Sequence, residues 1–147
     1  MNAHQIGLSF PWKFQHQDSI DGDASTKGSL KRESDVAPVV ASAFELADSN
    51  FFVVSRRFNQ PTNIAGRLLL LTLPLGDCEP ATIINDIQID LFEFSAGAGD
   101  PLIDITEFIR PGNLISIYFE LQEYRDKTAD LTQLVTQVCS NSRLLIT

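Results

Sequence analysis

Residues 104–121 read DITEFIRPGNLISIYFEL, which places a capped turn, a tight bend and a strand in one continuous run. Asp104 and Glu107 stand three apart, the spacing of a capping box in which one carboxylate accepts from a backbone amide while the other reaches back. That spacing predicts a single helical turn through Phe108. The turn must stop near Arg110, because Pro111 disfavours α geometry in the residue before it. Pro111, Gly112 and Asn113 then make the bend. In the strand beyond, Ile115, Ile117, Phe119 and Leu121 share one face, while Leu114, Ser116, Tyr118 and Glu120 share the other. The device reads as scaffold: Asp104 caps the turn, Phe108 plugs the end of the core, and the bend launches the apolar face inward.

Other segments carry the same period-two signal. FFVVSRRF (51–58) sets Phe52, Val54, Arg56 and Phe58 on one side and Phe51, Val53, Ser55 and Arg57 on the other, with the aromatic and β-branched content of a strand. RLLLLTL (67–73) is apolar almost throughout, as in a strand covered on both faces, and Pro74 ends it. ATIINDIQIDLFEF (81–94) alternates until Leu91-Phe92, where the parity break predicts a bulge, and SAGAGDP (95–101) reads as a glycine-rich loop. IGLSFPWKF (6–14) reads as a first strand interrupted by Pro11. Residues 15–38, polar and rich in Ser, Asp and Gly, read as a long loop, and 39–46 are ambiguous between strand and short helix. Leu131, Leu134, Val135 and Val138 follow the i, i+3, i+4, i+7 pattern of an amphipathic helix, and SRLLIT (142–147) suits a last strand. Short strands separated by turn signals predict one all-β sandwich domain over residues 1–147, with one or two short helices.

Composition narrows the function. The chain holds 147 residues, 44% hydrophobic and 20% charged, with no apolar run long enough to span a bilayer. MNAHQIGLSFPWKF has neither the basic start nor the apolar stretch of a secretory signal, so a cytoplasmic location is expected, with Cys78 and Cys139 as free thiols. No Lys or Arg lies between Arg67 and Arg110, whereas eight carboxylates do, so this segment carries the whole formal charge of −8. Such a field repels phosphate backbones, and neither nucleic acid nor membrane is an expected partner.

The same residues resemble a known family. DITEFIRPGNLISIYF is similar to the corresponding segment of galactose-binding-like jelly-roll domains, such as the sugar-binding domain of glycoside hydrolase family 2, the β-galactosidase and β-glucuronidase relatives. PWKF (11–14), VVSRRFNQP (53–61) and ATIINDIQID (81–90), with Asn85 at an asparagine position, resemble further pieces in the same order. The resemblance implies a jelly-roll sandwich. It also implies a non-catalytic module, because the catalytic carboxylates of those hydrolases sit in a separate barrel domain. The hairpin Asn-Gly of the family is Asn85-Asp86 here, a pair that still tolerates left-handed backbone.

Candidate chemistry is sparse. His4 and His16 have no ligand or base partner at useful spacing, and no nucleophile elbow or phosphate-binding glycine loop occurs. Asp86, Asp90, Glu93, Asp100 and Asp104 could in principle serve as a glycosidase pair. They could also hold the structural Ca²⁺ that the resemblance allows; solvated or structural roles outweigh both. No other cofactor is expected. Exposed rings would be the best sign of sugar binding: Trp12 is expected in the core, leaving Tyr118, with Tyr124 behind it. The leading expectation is a non-catalytic, carbohydrate-binding module in which Arg56, Arg57, Asn85 and Asp86 hydrogen-bond hydroxyls and Tyr118 supplies a platform. The alternative is a structural or protein–protein interaction domain, with a small hydrolase a distant third.

Overall fold

The computed structural model describes residues 4–20, 22, 24–45, 50–91 and 100–147. In chain order it holds β1 (His4–Gly7), β2 (Trp12–Gln17), β3 (Ala24–Leu30), α1 (Val36–Ala43), β4 (Phe51–Asn59), β5 (Leu69–Thr72) and β6 (Ala81–Ile84). There follow β7 (Ile87–Ile89), β8 (Leu102–Asp104), β9 (Gly112–Glu120), α2 (Thr128–Asn141) and β10 (Arg143–Ile146). The strands form two antiparallel sheets, one ordered β3-β2-β4-β9-β6-β7 and one ordered β1-β10-β5-β8. The chain crosses between sheets from β4 to β5, back to β6, across to β8 and back to β9, which ties the two layers of a β-sandwich together.

Alternation in β4 and β9 builds the core. Phe52 pairs with Phe119 and Val54 with Ile117, and all four side chains are buried. Opposite them Leu69, Leu71, Ile103, Leu144 and Ile146 come from the smaller sheet. Each such side chain, fully buried, contributes about 1.5–3 kcal/mol of transfer free energy. Leu131, Val135, Val138 and Cys139 bury one stripe of α2, and α1, which packs on α2, buries Val36, Val40 and Ala43. Trp12 is fully buried, its indole Nε1 donating to the Leu8 carbonyl at 2.7 Å.

Four expectations need correction. Residues 15–38 are not a long loop: β2 and β3 pair there, and α1 begins at Val36. Their polarity fits because β3 is the sheet edge, hydrogen-bonded on one side only. Residues 39–46 resolve in favour of helix as far as Ala43, with Pro38 in the first turn, where no amide partner is required. β5 is not covered on both faces; Leu69 and Leu71 are buried, but Leu70 and Thr72 are half-exposed and the preceding Leu68 is half-exposed too. The capping box does not form either. Asp104 Oδ1 accepts from the Thr106 amide at 3.0 Å and the Thr106 hydroxyl at 2.6 Å, and the turn that follows is a 3₁₀ turn over Thr106–Phe108. The side chain that plugs the core here is Ile105, fully buried, with Phe108 half-buried beside it. Phe92, on which the expected bulge at Leu91-Phe92 turns, Glu93 and the glycine-rich run 95–99 lie outside the described residues.

Candidate functional site

The β6–β7 hairpin turns through Asn85 and Asp86, with φ of 51° and 68°, the left-handed pair of a type I′ turn. Asn85 is buried and fully engaged. Its Nδ2 donates to the Phe108 carbonyl at 2.9 Å and to Asn113 Oδ1 at 2.8 Å, and its Oδ1 accepts from the Leu114 amide at 3.0 Å. Asn113, also buried, answers from β9: its Oδ1 takes the Arg110 amide, and its Nδ2 donates to the Arg110 and Phe58 carbonyls. These two asparagines lock the hairpin, the bend and the end of β4 together, so Asn85 offers no free hydrogen-bonding atom to a hydroxyl. Asp86 projects into solvent at the hairpin tip, where Arg110 stands at 3.7 Å, a contact worth little in water.

The remaining candidates lie on the six-stranded sheet. Arg56 shares the inner parity of β4, but its guanidinium turns to the Ser9 and Arg57 carbonyls, both at 2.9 Å. Arg57 is exposed on the outer face, opposite Leu114. Tyr118 is half-buried on that face between Val53 and Ala81, four residues along β9 from Leu114. At the strand rise of about 3.4 Å per residue, Tyr118 and Arg57 stand over ~13 Å apart along the sheet. The five sequence candidates therefore do not converge on one site.

Tyr118 instead opens a different one. Past β9 the chain makes a 3₁₀ turn over Leu121–Tyr124, and the 74–80 connection between β5 and β6 faces it. Between them lies a cleft of about 490 Å³ lined by the rings of Phe51, Tyr118 and Tyr124 and by Asp77, Glu79, Glu120 and Glu123, among others. Phe51 meets Tyr118 edge to face, with centroids 6.2 Å apart and planes at 83°, which braces the tyrosine. The Tyr124 hydroxyl donates to Cys78 Sγ at 3.8 Å. Burial, that hydrogen bond and nearby negative charge push the Tyr124 phenol well above its usual range, so it stays a neutral donor. The hollow beside β1, of about 700 Å³, is lined by Asn59, Gln60, Asn63 and Arg67 among others and by no Phe, Tyr or Trp.

The sequence pointed to Tyr118 and Tyr124, but not to the acids that join them. Asp77, Glu79 and Glu123 sit in a loop and a 3₁₀ turn, where no periodicity marks a shared face. Asp100 and Asp104 are held by the Gly76 amide and by Thr106, and among the described residues no group of three or more His, Cys, Asp or Glu is placed to bind a metal. Among the described residues, Asp86, Asp90, Asp100 and Asp104 form no such group for the Ca²⁺ that the family resemblance allowed. Cys139 is buried in α2 and Cys78 half-buried at the cleft, both as free thiols, and burial raises the Cys139 thiol.

No family model and no curated protein matches the chain. Solved structures do. A glycosyl hydrolase family 2 member from Bacteroides cellulosilyticus superposes with a TM-score of 0.58 at 14% identity, over 97% of this chain. The fold is that of a domain of family 2 glycosyl hydrolases. A β-glycosidase from Bacteroides vulgatus gives 0.55 at 11% identity over 97% of the chain. A β-glucuronidase from Ruminococcus gnavus gives 0.55 at 15% identity over 80% of it. The chain spans about a fifth of those enzymes, 20%, 20% and 22% of their lengths.

Proposed function

We propose that this domain is a non-catalytic carbohydrate-binding module whose site is the cleft at Tyr118 and Tyr124. The observation that carries the reading is the pairing of half-exposed rings with carboxylates in one concavity. A pyranose presents an apolar C–H face that packs on a flat ring and a rim of hydroxyls that donate to carboxylates, and sites of this kind are concave with few convergent polar groups. Tyr118 gives the platform, Phe51 braces it, and Glu79, Glu120 and Glu123 accept from hydroxyls. The likeness to part of family 2 glycosidases agrees with a module that holds a glycan while chemistry happens elsewhere.

A glycan array followed by calorimetry tests this. Binding of at least one glycan is expected, lost on Tyr118→Ala with thermal unfolding unchanged within a few degrees and retained on Arg57→Ala. Capture of no glycan, or equal binding by the Tyr118→Ala protein, overturns the reading.

A further inference from the structure

A second cleft adjoins the first. Of about 660 Å³, it runs from Leu75 and Gly76 to the exposed side of α2 at Gln133 and Gln137. The two clefts have Cys78, Glu123 and Tyr124 in common, so Tyr124 borders both of them. The hydrogen bond to Cys78 holds the Tyr124 hydroxyl in place there. Side by side the clefts run as a groove from Phe51 and Tyr118 on the six-stranded sheet, past the 74–78 connection, to the exposed side of α2.

We infer that this groove takes an oligosaccharide laid across Tyr124, and that it selects chains bearing amino groups over chains bearing uronic carboxylates. The inference deepens the carbohydrate reading and rests on it. Length follows from continuity: a mono- or disaccharide on Tyr118 fills only the near cleft, whereas a longer chain passes Tyr124 and reaches Gln133 and Gln137. Charge follows from the lining. Asp77, Glu79, Glu120 and Glu123 line the near cleft, Asp100 and Asp130 join on the far side, and among the described residues Lys127 is the one cation in either lining. A negative sugar approaching this wall is repelled by each of these groups and an amino sugar is attracted, in a concave site that focuses the field.

Calorimetric titration decides it, with glucosamine oligomers, cello-oligosaccharides and oligogalacturonates, each from dimer to tetramer. Affinity should rise from dimer to tetramer in the glucosamine series. At low salt the glucosamine tetramer should bind about tenfold or more tighter than the galacturonate tetramer, a gap that narrows at about 0.5 M NaCl. Gln133→Ala with Gln137→Ala should weaken the glucosamine tetramer about threefold to tenfold and leave the dimer unchanged. Glu120→Gln with Glu123→Gln, both exposed positions, should shrink the charge gap without unfolding the domain. Galacturonate binding as tightly as glucosamine, or affinity independent of length, sinks the groove while leaving a carbohydrate site at Tyr118 standing. Binding of none of the three series sinks the groove, whereas the carbohydrate reading itself falls only with an array that captures no glycan.

Discussion

Asn113 shows how one buried amide can hold three segments. It is 1% exposed, and its two polar atoms meet Arg110, Phe58 and Asn85. Replacing it by Ala removes the acceptor of the Arg110 amide and of one Asn85 Nδ2 hydrogen and the donor to the Phe58 and Arg110 carbonyls, and each buried group left unsatisfied costs about 1–3 kcal/mol. Asn113→Ala should therefore lower the urea-derived stability by at least ~2 kcal/mol, measured against Asp86→Ala, which should change it by less than about 0.5 kcal/mol. His16 makes a different prediction. Its buried ring lies 5.7 Å from those of Phe14 and Phe52, and burial lowers its pKa below the ordinary 6.5. The folded state thus prefers the neutral ring. The stabilising difference is fully present above pH 6.5 and is lost as pH falls below it toward the folded value. Urea midpoints should decline between about pH 6.5 and 5, and His16→Phe should flatten that decline.

At the scale of elements, the 104–113 device separates two accounts of the same residues. Because Asp104 bonds Thr106 and Glu107 makes no cap, Asp104→Ala should cost about 1 kcal/mol while Glu107→Ala costs almost nothing. A capping box would make the two comparable. Ile105→Ala should cost about 2–5 kcal/mol and exceed Phe108→Ala, since Ile105 is the fully buried member. Edge strand β3 offers a further check: a Cβ at Gly28 would fall 2.6 Å from the Phe14 ring, so Gly28→Val should destabilise by about 1–3 kcal/mol. These elements also show what was legible. The alternation in β4 and β9 and the i, i+3, i+4, i+7 stripe of α2 carry their own faces in the sequence, since burial on one side writes a period. β3 carries none, because an edge strand with a polar outer face looks like a loop. Asp104 misled for a related reason: Thr106 and Glu107 both stand within reach of it, and only the backbone geometry chooses between them.

Across the described residues the two sheets, their crossovers and the helices α1 and α2 place a cleft bordered by Phe51, Tyr118 and Tyr124 at one end of the larger sheet, formed by segments distant in sequence. Tyr118 was visible as an outward aromatic on a strand of known parity. Glu79 and Glu123 were not, because only the fold brings the 74–80 connection against the turn after β9. Arg56 and Asn85 looked like hydroxyl donors for the opposite reason: a sequence cannot reveal that a polar side chain is already spoken for by the Ser9 or Phe108 carbonyl. The most direct measurement is a ¹H–¹⁵N NMR titration of the folded domain with a glycan captured on the array. The account predicts saturable shifts at Phe51, Cys78, Tyr118, Glu120 and Tyr124, with Arg57, Asp86 and Arg110 unmoved. Shifts centred on the Asp86 hairpin and Arg57, with the Tyr118 and Tyr124 amides silent, would contradict it.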